Sequence, residues 1–312
     1  MPRRRFSWKS IVDPLKRSGG ALRLADRLGR GRGRLRWLDA LVDPPPPPRR
    51  PNLAGWEHHS LAACWIGHAT LLFRLEGRTI LTDPVFSNRV GVGLLFATGG
   101  PRRLQQPAVP ISRLPPIDLI ALSHAHFDHL DRPSLARLAR RFPRASVVCA
   151  RGTRDLVDDL GFADVREIGV GETGSYAGVE VAAIRVNHWG PRVFLDQWRT
   201  YQAYRFRRRG RSILFGGDTA MTDTFAGVGP VDLMAVGIGA YDPYVAAHAT
   251  PEQAWAMAEQ AAAAKVAAMH HSTFKLSDEP IDEPLRRFLT AAGERVDDIV
   301  IRRVGDVYMQ QG

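Results

Sequence analysis

Residues 118–131 read Asp118-Leu-Ile-Ala-Leu-Ser123-His124-Ala-His126-Phe127-Asp128-His129-Leu-Asp131. The run Asp118–Leu122 has the length and continuous apolarity of a strand buried on both faces. It passes directly into three histidines and an aspartate within six residues, His124 to His129. Imidazole nitrogens and carboxylate oxygens are the ligand set of zinc and similar divalent ions. Residues two apart in an extended turn can address one ion. Asp128 and His129, further round the turn, can address a second.

The same arrangement recurs outward from this stretch. The apolar segment Val179–Val186 is followed by Asn187-His188, Ile213–Phe215 by Gly216-Gly217-Asp218, and Val266–Met269 by His270-His271. Loops at strand ends converge in layered α/β proteins, so four such ends can meet at one point. Ligand counting then gives His124, His126 and His188 for one ion and Asp128, His129 and His270 for the other, with Asp218 bridging. Each ion keeps an open position, which marks a catalytic site and not a structural one. Two ions about 3.5–4 Å apart would clamp the attacking and leaving oxygens of a hydrolysed bond. Asp128, Asp218 and His248 are the candidate catalytic residues. His248 precedes the helix start at Thr250-Pro251 and could protonate a leaving group or hold a phosphoryl oxygen.

The remaining text alternates strands and helices. Leu61–Ile66, Thr70–Leu75 and Thr79–Leu81 read as a meander, and Ser146–Ala150, Tyr201–Phe206, Leu233–Val236 and Ile299–Arg302 as further strands. Leu135–Phe142, Arg154–Leu160, Pro251–Ala263 and Glu283–Ala292 read as helices. Seven alanines in residues 251–264 suit a helix packed closely on a sheet. Gly169-Val-Gly171-Glu-Thr-Gly174 has the spacing of a dinucleotide loop but leads into a strand, so it offers no helix N-terminus to a phosphate. Cys64 and Cys149 lie in apolar runs and read as buried reduced thiols.

The charge is uneven. Residues 1–50 hold 14 Lys/Arg and 4 Asp/Glu, nearly all of the net +11. The body from residue 51 is close to neutral, which argues against a nucleic-acid-gripping domain. Leu22, Leu24, Leu28, Leu35, Leu38 and Leu41 are scattered through this basic arm. Either the arm lies on an anionic membrane surface or it packs its leucines on the body. Pro44–Pro48 and Pro51 read as a stiff extended linker between the arm (1–50) and the body (51–312). No segment reads as a membrane-spanning helix or a secretory signal, so the expected location is cytoplasmic, peripheral on the membrane if the arm docks there.

The motifs together resemble the metallo-β-lactamase superfamily. Within it, Trp65–Thr70, Thr82–Phe86, Pro115–Asp131, Asn187–Trp189, Gly216–Thr219, Ile238–Pro243, His248–Ala254 and Met269–Phe274 are similar to the N-acylphosphatidylethanolamine-hydrolysing phospholipase D family. The resemblance spans about residues 56–310 and implies an αββα sandwich. It also implies a two-zinc centre and hydrolysis of a phospholipid phosphodiester; manganese or iron suits the same donors. A lactonase or soluble phosphodiesterase of the same fold and a non-catalytic membrane-associated scaffold are the alternatives. The chain departs from the family at Ala125, Phe127 and His271-Ser272. The register of Thr273-Phe274 favours His270 over His271 as the metal ligand. Asp83 in the Thr-Asp-Pro motif, His68 and His271 would support the ligands, and Trp189 and Tyr241 would wall the pocket or serve as ordinary aromatic core.

Overall fold

The computed structural model describes residues 46–94, 97–193 and 195–310. Residues 1–45 lie outside that range, and with them most of the basic arm, for which membrane docking and packing on the body are the two expectations. The last prolines of the expected linker run along the body: the Pro46 carbonyl accepts from the Gln106 amide at 3.0 Å.

Sixteen strands among the described residues form two seven-stranded sheets and one hairpin. The first sheet takes β1 (Leu61–Gly67), β2 (Thr70–Leu75), β3 (Arg78–Thr82), β6 (Leu119–Leu122), β7 (Ser146–Ala150), β8 (Asp164–Ile168) and β16 (Val307–Met309), in the order β16-β1-β2-β3-β6-β7-β8. The second takes β9 (Thr173–Tyr176), β10 (Val179–Ile184), β11 (Ala203–Arg208), β12 (Arg211–Phe215), β13 (Val231–Gly237), β14 (Ala263–Met269) and β15 (Ile299–Ile301), in the order β15-β14-β13-β12-β11-β10-β9. β4 (Val92–Leu94) and β5 (Ala97–Gly99) make the hairpin.

The strands are apolar at successive positions because both faces are covered. Along β1, Leu61, Ala63 and Trp65 meet Val181, Phe206 and Phe215 of the second sheet, while Ala62, Cys64 and Ile66 join the outer layer. That outer layer is α1 (Arg132–Arg141), which sets Leu135 and Leu138 on Ile120 and Leu122. On the far side α2 (Pro251–Gln260) and α3 (Glu283–Ala292) cover Met234, Val236, Val266 and Ala268. Ala254 and Ala258 are fully buried, and their small side chains let α2 lie close on the sheet. The result is an αββα sandwich, as the family resemblance implied. Cys64 and Cys149 are buried free thiols, pushed up to about 12 chiefly by burial.

Four expectations shift for local reasons. Arg154–Leu160 is two 3-10 turns, not a helix. Glu167 there takes the amides of Gly152, Thr153 and Arg154, and β-branched Val157 leaves helical geometry between the turns. α1 starts three residues early, after Asp131, with Pro133 in its first turn. α2 stops at Gln260 because Ala262 turns through φ 45° into β14. β10 ends at Ile184, short of Val186. The Thr250 cap is as read: its hydroxyl accepts from the Gln253 amide and the Gln253 side chain accepts from the Thr250 amide.

Strand direction positions the site. β1 is antiparallel to β2 and β2 to β3, and β3 is parallel to β6. So β1, β3 and β6 run the same way and end at His68, Asp83 and His124. In the second sheet β10 and β12 are both antiparallel to β11, and β12, β13 and β14 are parallel. β10, β12 and β14 therefore share a direction and lead to His188, Asp218 and His270.

Candidate metal centre

The turns that follow these strands are tight. His68, Asp83 and His270 adopt φ 54°, 34° and 60°, in the left-handed region that non-glycine residues seldom enter. Strain of this kind persists only where the surroundings fix it. The surroundings here are a cross-sheet lock: His68 donates its amide to Thr273 Oγ1 at 2.8 Å, and the His68 carbonyl accepts from the His270 amide at 3.1 Å and Trp65 Nε1 at 2.7 Å. At the end of β12, Gly217 takes φ 56°, and a Cβ there would lie 3.0 Å from the Gln202 carbonyl and 3.1 Å from Ser123 Cβ. Glycine makes this approach without pressing on either neighbour, and it sets Asp218 of one sheet beside His124 of the other.

Three ring nitrogens meet edge to edge. His126 Nδ1 lies 2.9 Å from His124 Nε2 and 3.2 Å from His188 Nε2. The opposite nitrogens of the latter two rings are occupied: His124 Nδ1 bonds Ser123 Oγ at 2.9 Å and His188 Nδ1 donates to the Ala247 carbonyl at 3.0 Å. Their Nε2 atoms thus face inward as lone pairs. A second group gathers His68, Asp128, His129 and His270 within 4.8 Å of one another. There His129 Nε2 is 3.2 Å from His270 Nε2, and Asp128 Oδ2 is 3.6 Å and 3.5 Å from those nitrogens. Asp218 Oδ2 sits between the groups, 3.0 Å from His129 Nε2, 3.2 Å from His270 Nε2, 3.7 Å from His188 Nε2 and 3.9 Å from His124 Nε2.

These donors fit metal ions. Lone pairs placed about 3 Å apart repel unless a cation lies among them. A tetrahedron with bonds of about 2.0–2.1 Å has edges of roughly 3.3 Å, close to the spacing observed. Asp218 Oδ1 and His126 Nε2 are buried without a hydrogen-bond partner among the described residues. The protonation pattern agrees. Burial holds His124 and His188 well below the ordinary histidine value and lowers His126 to about 4, so all three are neutral. Burial would raise Asp218 and Asp128, but the positive charge on His129 overcomes it and keeps both ionised. His129 and His270 are themselves raised against burial, His270 to about 9, because Asp218 and Asp128 face them. In this arrangement protons supply the positive charge that cations would bring.

One carboxylate orients a ring in each group. Asp83 is fully buried and accepts from the Ser123 amide at 2.7 Å, Ser123 Oγ at 2.6 Å and His129 Nδ1 at 2.7 Å. It fixes His129 directly and His124 through Ser123, so both rings present Nε2 to the cluster. His68 Nε2 bonds Asp128 Oδ2 at 2.9 Å, and its ring lies 4.0 Å from that of His270. His271 belongs to neither group; it packs 4.7 Å from the Trp65 ring and bonds Ser272 Oγ at 2.9 Å. His248 stands at the edge, its Nδ1 3.9 Å from Asp218 Oδ2, and burial lowers it to about 4. Trp189 stacks on His188 at 4.4 Å and walls the cluster. Tyr241 is instead committed to Glu283, to which its hydroxyl donates at 2.7 Å beneath the Arg287 guanidinium.

Several contributors were not foreseen. Ser123 was readable in principle as a hydroxyl between the strand and its first histidine. Arg192 had no signal: it reaches back to donate to the Ala125 and Leu130 carbonyls, both at 2.7 Å, and lies over Phe127 at 3.9 Å. That clamps the loop bearing His126, Asp128 and His129. Glu279 likewise holds the turn after β13 through the amides of Ala240 and Asp242.

The chain is similar to known proteins in sequence and in fold. A β-lactamase superfamily domain model matches residues 78–271. An uncharacterised protein of Mycobacterium tuberculosis is 30% identical over 258 residues, covering 80% of this chain and 68% of that one. The N-acyl-phosphatidylethanolamine-hydrolyzing phospholipase D 1 of Caenorhabditis elegans is 29% identical over 246 residues, covering 72% of this chain and 68% of that one. Among solved structures, the metallo hydrolase Igni18 of Ignicoccus hospitalis aligns with a TM-score of 0.61 at 16% identity, over 81% of this chain and 99% of that one. The diiron β-hydroxylase CmlA of Streptomyces venezuelae aligns at 0.57 and 19%, over 81% and 54%. At such identities the structures speak for the fold alone. The domain model covers more than half of the chain, including the segments that carry His124, His126, Asp128, His129, His188, Asp218 and His270, and this chain belongs to the metallo-β-lactamase superfamily.

Proposed function

We propose that the chain is a metal-dependent hydrolase cleaving a phosphodiester, and that its substrate is a phospholipid. The observation that carries the lipid reading is where the exposed large apolar residues fall. Val193, Leu195 and Trp198 follow Trp189 on one loop, with Leu195 80% and Trp198 65% exposed. Tyr244 and Val245 lie on the loop ending at His248, and Leu104 and Ile281 are hydrogen-bonded to residues 273 and 272. These are all the exposed large apolar side chains among the described residues, and each is on, or hydrogen-bonded to, a segment that carries a residue of the His/Asp cluster. Exposed apolar residues on the segments that carry a polar centre suit an amphiphile whose reactive group is ionic. The resemblance to the Caenorhabditis elegans phospholipase D supports the same substrate class.

In this reading His124, His126 and His188 would hold one divalent ion and Asp128, His129 and His270 another, with Asp218 between the two groups. Such ions, zinc by the nitrogen-rich donor set or iron or manganese, would supply an activated water and neutralise charge on the phosphoryl oxygens. The chain does the rest. Asp83 and Ser123 keep two ligand rings in the correct tautomer, and Arg192 holds their loop. The water oxygen bonds to phosphorus, the phosphorus–alcohol oxygen bond breaks, and the alcohol oxygen takes the proton. His248, neutral at the cluster's edge, would pass that proton or hold a phosphoryl oxygen.

The test is a hydrolysis screen of the purified chain with its metal content measured on the same sample. N-acylphosphatidylethanolamine and phosphatidylcholine vesicles, a soluble phosphodiester and a soluble lactone are the substrates. Cleavage of vesicle lipid ahead of the soluble compounds is expected. Lactone turnover without phosphodiester cleavage would replace this reading with a lactonase. Metal uptake without hydrolysis of any substrate would favour a scaffold.

A further inference from the structure

A second polar concavity shares no residue with the metal cluster. A cavity of about 620 Å³ has Leu53, Phe86, Val109 and Ile111 in its floor and Arg50, Arg113 and Arg137 on its rim. A second of about 490 Å³ adjoins it through residues 110–112 and Arg137, and adds Arg140 and Arg141. No Asp or Glu lines either one. On α1, Arg137, Arg140 and Arg141 stand at i, i+3 and i+4 and share one exposed face, opposite buried Leu135 and Leu138. These five arginines make no ion pair among the described residues, whereas Arg132, at the start of the same helix, is held by Asp159.

Helix-end electrostatics explains part of this. Cations at a helix C-terminus are favoured, which accounts for Arg140 and Arg141. It accounts neither for Arg137 a turn earlier nor for Arg50 and Arg113, which come from other segments to the same rim. Like charges at helical spacing disfavour the helix. A concave site with a cationic rim and an apolar floor is matched by a phosphate group carried on an apolar stem.

We propose that this groove binds the phosphate headgroup of an anionic phospholipid and seats the protein on a lipid surface. The choice of lipid rests on the phospholipid reading of the active site. Single-stranded nucleic acid fits less well, because the floor is aliphatic with Phe86 alone to stack on. A stripe of cations without an aromatic anchor is equally poor as a protein-binding hot spot.

The test uses the full chain and vesicles of equimolar phosphatidylcholine and phosphatidylglycerol, with pure phosphatidylcholine as reference. The triple variant R137Q/R140Q/R141Q is compared with R185Q/R286Q/R303Q, an equal loss of charge at exposed arginines outside the groove. At roughly fivefold per arginine, the groove variant should bind anionic vesicles on the order of a hundredfold more weakly at low salt, and the control should change little. Hydrolysis of a soluble phosphodiester should be equal in all three proteins. Binding is read without turnover, so failure of the hydrolase assignment would leave this result interpretable. Equal losses in both triple variants would mean diffuse net charge and overturn the proposal. So would unchanged vesicle binding in the groove variant, or a loss confined to a single-stranded oligonucleotide probe.

Discussion

Replacing Asp83 by Asn tests how the ligand rings are held. Three donors converge on the two carboxylate oxygens: the Ser123 amide on Oδ1, and Ser123 Oγ and His129 Nδ1 on Oδ2. The amide group keeps one acceptor, which the fixed backbone donor of Ser123 will claim. Its NH2 then faces Ser123 Oγ and His129 Nδ1. His129 must answer with its Nδ1 lone pair, which moves its proton to Nε2 and removes the lone pair aimed at the cluster. Ser123 Oγ, no longer able to donate to residue 83, turns its proton towards His124 Nδ1 and has the same effect on that ring. Loss of such a supporting partner typically weakens metal binding 10–100-fold, about 1.4–2.7 kcal/mol per site. Asp83→Asn should therefore weaken both steps of a zinc titration against a chromophoric chelator. Ser123→Ala removes only the link to His124 and should weaken one step. Far-ultraviolet circular dichroism checks that each variant is folded. Wild-type affinity in both steps for Asp83→Asn, or equal weakening of both steps by Ser123→Ala, would refute the reasoning.

Three further outcomes follow from the geometry. His270→Ala should release one ion and most activity while His271→Ala retains both ions, since His270 Nε2 alone of the two faces Asp218; elemental analysis decides between them. Asp218→Asn should lower the affinity of both ions, because one oxygen lies within 4 Å of nitrogens in both groups; loss of a single ion would argue against a bridging position. Arg287 holds Glu252 at 2.7 Å and lowers its carboxyl from the ordinary 4.5 to about 2. The folded value lies below the unfolded one, so this stabilisation is present above pH 4.5 and is lost as pH falls from 4.5 through 2. Because the pair is partly exposed it amounts to under about 1 kcal/mol, and Arg287→Ala should narrow the loss of thermal stability over that window.

The parts of the fold legible in the sequence were those whose signal is local. Strands covered on both faces, such as 61–66 and 119–122, announce themselves as unbroken apolar runs, and the ligand residues follow them directly. Less legible were strands with weak patterning. β8 (Asp-Val-Arg-Glu-Ile) and β9 (Thr-Gly-Ser-Tyr) have exposed positions at a sheet edge, and β16 at the opposite end is only partly buried. Their pairing is decided by neighbours distant in sequence. Arg192 and Glu279 were invisible for the same reason: their partners lie at residues 125–130 and 240–242, and nothing in the local text announces the contact. Tyr241 shows the converse. A motif placed it near the pocket, but a carboxylate 42 residues away claims its hydroxyl.

The placement of the cluster on strand ends of both sheets has a consequence for folding kinetics. Its donors are far apart in sequence, 141 residues separating His129 from His270. Neither sheet alone can present a complete ligand set, so the cluster forms only when the two sheets have docked. Interactions absent from the transition state alter the unfolding rate and leave the folding rate nearly unchanged. Cations taken up by this cluster therefore act as a brake on unfolding: chelators should shorten the lifetime of the native chain while its refolding rate stays the same.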